Sequence, residues 1–427
     1  MALIVQKYGG SSLADADRIK SVARRVVDAA EAGQKVCVVV SAMGDSTDEL
    51  LDLAARITPA PHGRELDMLL TAGERISMAL LSMAIMELGH QAISLTGSQA
   101  GIVTDTTHGK ARIVEVRARR VLEALEAGKI AIVAGFQGVS TEFDVTTLGR
   151  GGSDTTAVAL AAALQADACE IYTDVEGVFT ADPRIVSEAR KLHVISYEEM
   201  LEMSAAGAKV LMLRSVEYAR NYGVFVHVRS SFTNEDGTWV KEEDERMEQA
   251  IISGIAHDTS EAKVSIIGVP DRPGIAARLF RPLADESINI DMIVQNASAD
   301  GRTDVFFTMP KEDLARAEDL LQRIATEVGA EGITTDSDIA KISLIGAGMK
   351  THPGVAASMF EALSEHGINI EIISTSSIRV SCVIRADRVE EAVRAIHDRF
   401  DLAREAVIRE SHPDPQPAPA PAARARN

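Results

Sequence analysis

The chain carries one segment twice. Pro273-Gly274-Ile275-Ala276-Ala277-Arg278-Leu279-Phe280 is echoed further on by Pro353-Gly354-Val355-Ala356-Ala357-Ser358-Met359-Phe360, and Ser287-Ile288-Asn289-Ile290-Asp291 by Gly367-Ile368-Asn369-Ile370-Glu371. Between Pro273 and Ile293 close to half of the sequence recurs unchanged in the copy. The preceding run Lys263-Val264-Ser265-Ile266-Ile267-Gly268 returns as Lys341-Ile342-Ser343-Leu344-Ile345-Gly346 at a slightly smaller offset, so the second copy has two extra residues between strand and helix. Each copy reads strand, helix, strand, strand, helix, an α+β unit of about 75 residues.

Before residue 230 the pattern differs. Short apolar runs at 2–6, 36–40, 92–95, 130–133, 169–172 and 224–228 alternate with stretches of helical period, such as Leu13, Ala16, Ile19, Val22, Val26 and Ala30. Runs that are apolar on both faces suit covered parallel strands, so this region is expected to be α/β with a mainly parallel sheet sandwiched by helices. Gly, Ser, Thr and Asp cluster directly after the runs, at 7–12, 41–47, 96–98, 135–138 and 173–174. Open α/β sheets bind ligands along that carboxyl edge, although the same residues also build ordinary turns.

Charge narrows the ligands. Lys plus Arg total 44 and Asp plus Glu 63, a net charge of −19, which is the wrong sign for nucleic-acid phosphates or an anionic membrane. No apolar run reaches the eighteen or so residues of a membrane span, and the amino terminus lacks the basic stretch of a signal peptide. Cys37, Cys169 and Cys382 are too few and too scattered for a disulfide framework or a zinc set, and they read as buried small residues in a reducing cytoplasm.

Three stretches carry chemistry. In Lys7-Tyr8-Gly9-Gly10-Ser11-Ser12, two glycines let backbone N–H groups approach an anion, a following helix adds its positive end, and Lys7 adds a full charge. The Walker A spacing is absent here and at Gly348-Met349-Lys350-Thr351, which reads as a plain loop. Thr146-Thr147-Leu148-Gly149-Arg150-Gly151-Gly152-Ser153-Asp154-Thr155-Thr156 opens the helix expected over 157–164. A carboxylate at Asp154 fills the last glycine position of a dinucleotide fingerprint, which disfavours NAD. Arg150 and the helix start suit a carboxylate or phosphate, Asp154 suits a cationic group or metal-bound nucleotide, and Ser153 or Asp154 is expected to cap the helix. The third stretch, Thr173-Asp174-Val175-Glu176-Gly177-Val178-Phe179-Thr180-Ala181-Asp182-Pro183-Arg184, suits a nucleotide's base and ribose, with Arg184 within reach of phosphates.

Together with Ser41-Ala42-Met43-Gly44 and Thr71-Ala72-Gly73-Glu74-Arg75, these motifs resemble aspartate kinase of the amino-acid kinase superfamily, in its monofunctional form, and the doubled unit resembles paired ACT domains of ferredoxin-like fold. The resemblance runs from residue 2 to about 411 with the motifs in order. It implies ATP-dependent phosphorylation of the β-carboxylate of L-aspartate to 4-phospho-L-aspartate, the first step towards lysine, threonine and methionine, with Mg2+ accompanying ATP and no protein metal motif.

The same resemblance implies roles residue by residue. Lys7, Arg150 and Asp154 would be catalytic. Ser41, Thr47, Glu74, Arg150, Gly151, Gly152 and Ser153 would hold aspartate, Arg150 at its α-carboxylate and Glu74 at its ammonium. Lys7, Tyr8, Gly9, Gly10, Ser11, Thr173, Asp174, Phe179, Asp182, Arg184 and Lys209 would hold the nucleotide. Asp271, Gly274, Ala276, Asn289, Gln295, Asn369 and Ile370 would contact lysine, threonine or both as feedback effectors, against the alternative that the doubled unit is purely structural.

The expected domains are a catalytic domain over 1–248, ACT units over 249–337 and 338–411 with a strand in 250–257 packing against the second, and a flexible Pro/Ala tail over 412–427. The resemblance further implies a cytoplasmic oligomer joined through the ACT units, with an α2β2 form if a shorter chain starts near Met247. The competing readings are another kinase of the superfamily and a non-catalytic amino-acid sensor.

Overall fold

A computed structural model describes residues 1–243, 251–295, 301–350 and 352–404. Met247 and the tail over 412–427 lie outside the described residues.

The amino-terminal region is built on an eight-stranded sheet. From edge to edge it runs Val194–Ser196, Thr238–Lys241, Val226–Ser230, Ala168–Thr173, Leu3–Tyr8, Lys35–Val40, Ile130–Ala134 and Ala92–Leu95. Every neighbouring pair is parallel except Val226–Ser230 with Thr238–Lys241. The expected strands are all present, within a few residues of their predicted bounds.

Alternation along Leu3–Tyr8 assigns its side chains to two cores. Val5 packs with Val158, Leu160 and Ala161 of the helix Gly152–Leu164, while Ile4 and Tyr8 pack with Ile19, Val22 and Val26 of the helix Ala16–Glu31. Asp15 starts the latter helix by accepting the Arg18 N–H at 2.9 Å. The helices Arg64–Leu70 and Ala72–Glu87 form the one described stretch long and apolar enough to cross a membrane. Here one face of it is core material: Ala72–Glu87 packs on Ile130–Ala134, Ala92–Leu95 and the helix Ala16–Glu31, burying Ser77, Leu81 and Ile85, while Ile76, Leu80, Met83 and Met86 stay exposed.

A small second sheet, ordered Ile113–Val116, Ile102–Thr104, Gln137–Ser140 and Val145–Thr147, was not anticipated. It grows out of the loops after Ala92–Leu95 and Ile130–Ala134, so the 96–98 and 135–138 loops lead into strands rather than remaining free. The helix expected from residue 157 begins earlier, at Gly152, and neither Ser153 nor Asp154 caps it. Gly151 precedes it in the left-handed region at φ 71°, and a Cβ there would come within 2.0 Å of Met212, so only glycine meets both demands.

The repeated units are two four-stranded antiparallel sheets, each with two helices. The first is ordered Ile293–Gln295, Arg302–Pro310, Glu261–Pro270, Gly332–Asp336, the second Gly254–Asp258, Ile339–Ile345, Arg379–Arg385, Ile372–Thr375. The edge strand Gly254–Asp258 of the second sheet precedes the first unit in the chain, so only positions 259 and 260 carry the backbone from one sheet into the other. Met292, Ile339, Ile372 and Val383 form a common apolar contact between the units. Of the Gly348-Met349-Lys350-Thr351 segment, the first three residues lie in a short 3-10 helix, Ala347–Lys350, and Thr351 is outside the described residues.

Candidate functional site

At the carboxyl edge the strand Leu3–Tyr8 extends to Tyr8, so Lys7 and Tyr8 belong to the strand and point to opposite faces. Lys7 faces the helix Gly152–Leu164, where its Nζ meets Asp154 Oδ1 at 2.6 Å with the lysine side chain 12% exposed. This pair joins the first and second motifs. Asp154 lies in the first turn of its helix and Arg150 just before that turn, so one helix start carries both the partner of Lys7 and a second cation. Arg150 is exposed and has no side-chain partner among the described residues.

Tyr8 is the correction on this strand. Its ring is fully buried, stacked on Tyr172 at 4.7 Å, and its hydroxyl donates to Gln6 Oε1 at 3.2 Å. Pleating turns the side chain beneath the helix Ala16–Glu31, leaving only the Tyr8 backbone at the edge.

The loop after Lys7 lies close against a second one. Gly44 donates its N–H to Gly10 O at 3.0 Å, and a Cβ on Gly10 would fall 2.9 Å from Gly44 O. That contact brings Gly9, Gly10 and Ser11 beside Ser41, Ala42 and Thr47, the last in the first turn of the helix Ser46–Ile57. Glu74, in the first turn of Ala72–Glu87, is buried; its Oε1 accepts the Ala42 N–H at 3.2 Å and its Oε2 has no partner among the described residues. Burial pushes its carboxyl up to about 7, against the lesser effect of backbone N–H donors. A buried carboxylate oxygen without a donor is a place prepared for a cation.

Two residues missed by the sequence reading hold the Gly149-Arg150 loop. Asp67, buried, accepts the Thr147 hydroxyl at 2.5 Å, His108 Nδ1 at 2.7 Å and the Gly109 N–H at 3.1 Å. Arg214 donates to Leu148 O at 3.0 Å and Ala111 O at 2.7 Å. Neither belongs to a recognisable spacing, since each reaches partners far away in the chain.

The third motif follows the strand Ala168–Thr173, next to Leu3–Tyr8 in the sheet. The Thr173 hydroxyl donates to Asp174 Oδ1 at 3.0 Å. Arg184 grips Asp182 with two bonds, Nε to Oδ1 at 3.0 Å and Nη2 to Oδ2 at 2.7 Å, holding the Asp182 carboxyl below its ordinary range. Its guanidinium is therefore engaged by a carboxylate, with Asp174 also acting on it electrostatically. Asp182, Arg184 and the exposed Lys209 all act on His257, which places Lys209 beside the motif although it lies well beyond Arg184 in the chain. Phe179 is half-buried and bridges to Lys191. Among the described residues no group of three or more His, Cys, Asp or Glu could hold a metal.

In the first repeat unit Asp271, Gly274, Ala276, Asn289 and Gln295 are exposed, as is Asn369 of the second, whereas Ile370 is partly buried against the second unit's core. Gly274 precedes its helix in the left-handed region at φ 89°, and Gly354 does the same at φ 103°, so the repeat is structural as well as sequential.

Comparison with known proteins gives the family. Residues 2–230 match the amino acid kinase family, and residues 264–327 and 342–400 each match an ACT domain. The chain is 60% identical to an aspartokinase of Mycolicibacterium smegmatis over 407 residues, covering 94% of this chain and 97% of that protein. It is 58% identical to one of Corynebacterium glutamicum over 410 residues, covering 95% and 97%. Among solved structures it is similar to E. coli aspartokinase III with aspartate and ADP in the R-state, at TM-score 0.80 and 26% identity, covering 93% of this chain and 99% of that one. The T-state of that enzyme with lysine and aspartate gives a TM-score of 0.72 at the same identity and coverage.

Proposed function

The chain belongs to the aspartokinase family and uses a nucleotide, and from that premise we propose that its carboxyl-edge site transfers the γ-phosphoryl group of ATP to the β-carboxylate of L-aspartate. The observation that carries the reading is the Lys7–Asp154 pair at a glycine-lined edge, with Glu74, at the start of the helix Ala72–Glu87, bonded to the adjoining loop at Ala42 and keeping one oxygen unpartnered among the described residues.

One β-carboxylate oxygen attacks the γ-phosphorus while the bond to the β–γ bridging oxygen breaks and ADP leaves. The nucleophile is already ionised near neutral pH, so no general base is needed and positioning with charge stabilisation carries the catalysis. Lys7 stabilises the transferring group, and the Gly9, Gly10 and Ser11 backbone donates to phosphate oxygens. Arg150, without a side-chain partner among the described residues, takes the α-carboxylate as a fork, and Glu74 takes the ammonium. Gly151, Gly152 and Ser153 of the helix start, with Ser41 and Thr47, close the pocket. Thr173, Asp174, Phe179, Asp182, Arg184 and Lys209 line the nucleotide.

The donor set fits an ion carried in on phosphates rather than caged by protein: no ligand cluster is present among the described residues, and Mg2+ commonly needs only one or two carboxylates besides phosphates. Asp154 and Asp174 are the residues that would meet it, and the ion would neutralise the β- and γ-phosphate charge. The reading extends to feedback by lysine, threonine or both at the exposed residues of the ACT pair, to a cytoplasmic oligomer joined through ACT units, and to a shorter companion chain beginning near Met247. The test is ADP release with aspartate, glutamate or no acceptor, repeated with lysine and threonine singly and together. Turnover that is specific to aspartate supports the reading, and ADP release indifferent to the acceptor ends it.

A further inference from the structure

The two ACT units stand differently towards the kinase domain. Among the described contacts, it is the second unit, with its borrowed strand Gly254–Asp258, that packs on the kinase helix Tyr197–Ala205. At the start of that helix sits Glu199, buried and saturated with donors. Its Oε2 accepts the Ser196 N–H at 3.2 Å and the Ser196 hydroxyl at 2.8 Å, completing a capping box. Capping needs no more than that. The remaining oxygen, Oε1, accepts the hydroxyl of Ser253 from the connection into the ACT pair and the Ala347 N–H at 3.1 Å from the second unit's strand-to-helix loop.

The other end of the same helix leads to the nucleotide residues. After Ala205 the chain passes Gly207 at φ 109°, where His257 O occupies the space a Cβ would need, and then reaches Lys209. The third motif is tied to the same elements: Thr180 O accepts the Ile255 N–H at 2.8 Å, and the Thr180 hydroxyl meets His397 Nε2 of the second unit's last helix at 3.1 Å. The segment carrying Phe179, Asp182 and Arg184 and the loop carrying Lys209 thus rest on Gly254–Asp258 and on the helix that Glu199 begins.

We infer that Glu199 is a positioning residue for the nucleotide site, through which the placement of the second ACT unit sets the position of Lys209 and of residues 179–184. The inference rests on the nucleotide site proposed above. Moving the second unit withdraws Ala347 and Ser253 and leaves a buried carboxylate oxygen without donors, so helix and unit move together or the helix start loosens. Coupling of this kind acts first on nucleotide affinity and reaches the aspartate pocket, whose Arg150 and Glu74 lie on other elements, only indirectly through Met212 and Arg214.

The test uses the full chain with Glu199→Gln, which keeps the shape and removes the charge, and Ser253→Ala, which leaves Glu199 in place. ADP binding is measured by calorimetry, the KM values of ATP and aspartate by turnover, and folding by thermal melting. Glu199→Gln is expected to weaken ADP binding about tenfold, the equivalent of ~1.4 kcal/mol, and to raise the KM of ATP more than that of aspartate. Ser253→Ala is expected to act in the same direction by about threefold, and it carries the test alone if Glu199→Gln does not fold. ADP affinity unchanged in a folded variant, or equal rises in both KM values, overturns the inference. A wild-type chain that binds ADP yet transfers no phosphoryl group to aspartate defeats the proposed activity and leaves this coupling intact.

Discussion

Lys7 and Lys341 are both drawn from solvent against carboxylates, and their surroundings divide them. Among the described residues Lys7 meets the carboxylate of Asp154 alone, at the rim of a glycine-lined edge. Lys341, 1% exposed, lies between Glu261 Oε1 at 2.6 Å and Asp291 Oδ2 at 2.5 Å. Burial by itself would lower the Lys341 ammonium's pKa, but its two carboxylates carry it above the ordinary value. The repeat makes the contrast sharper. Its counterpart Lys263 bonds Glu371, itself the counterpart of Asp291, so the units exchange equivalent ion pairs across their contact. A lysine closed in by carboxylates is structural, whereas one left at an edge with a single partner has attraction to spare for an incoming phosphate.

Exchanging each lysine for a neutral residue should separate these roles. Lys7→Ala is expected to keep the fold and lower kcat by several orders of magnitude, as loss of a group that stabilises the transferring phosphoryl implies. Near-normal kcat would erase the distinction. Lys341→Ala should do the reverse: it strands Glu261 in the interior and should destabilise the ACT pair by on the order of 3 kcal/mol, seen in thermal or denaturant unfolding, while kcat without effector stays close to wild type. Unchanged stability would show that the Lys341 pairing is not what holds the units together.

How far these roles can be read beforehand follows from range. Covered parallel strands announce themselves as apolar runs, and the glycine loops after them mark the edge, so Lys7, Gly10 and Asp154 stood out from local pattern. Tyr8 belonged to the same motif but its side chain serves the core, because the strand continues past the apolar run and the pleat decides its face. The helix start at Gly152 was hidden by a Gly-Gly-Ser-Asp-Thr-Thr stretch of poor helical propensity, which burial between the sheet and Leu213–Tyr222 overrides. The strands of the small sheet are too short for any period to register. Asp67, Glu199 and Lys341 each act on partners remote in sequence, at Thr147, Ala347 and Asp291, and no spacing rule reports such partners.

Arg150 extends the contrast to a cation with no carboxylate partner among the described residues. Arg150→Ala should leave stability unaffected and raise the KM of aspartate roughly tenfold to a hundredfold, the loss of one charge-assisted fork, with the KM of ATP little altered. An unchanged aspartate KM would remove Arg150 from the pocket and leave Glu74 as the edge's remaining substrate-facing charge.

Glu74 yields the smallest expected effect and the one that varies continuously. Its carboxyl stands near 7 in the free chain because burial disfavours the charge, so below neutral pH most molecules hold it protonated. On the role proposed for Glu74, the ammonium of aspartate requires the ionised form, and its arrival displaces the proton. Aspartate affinity should therefore fall about tenfold per pH unit below 7 and level off above it. The sign is opposite for folding: a carboxyl raised from its ordinary value of 4.5 to about 7 is a liability that grows as pH rises through that interval. Alkaline conditions thus favour substrate binding at some expense to stability. Glu74→Gln should flatten the pH profile of aspartate KM at a uniformly raised value and stabilise the chain above neutral pH. A profile that keeps its slope in that variant would assign the titration to another group and detach Glu74 from the ammonium.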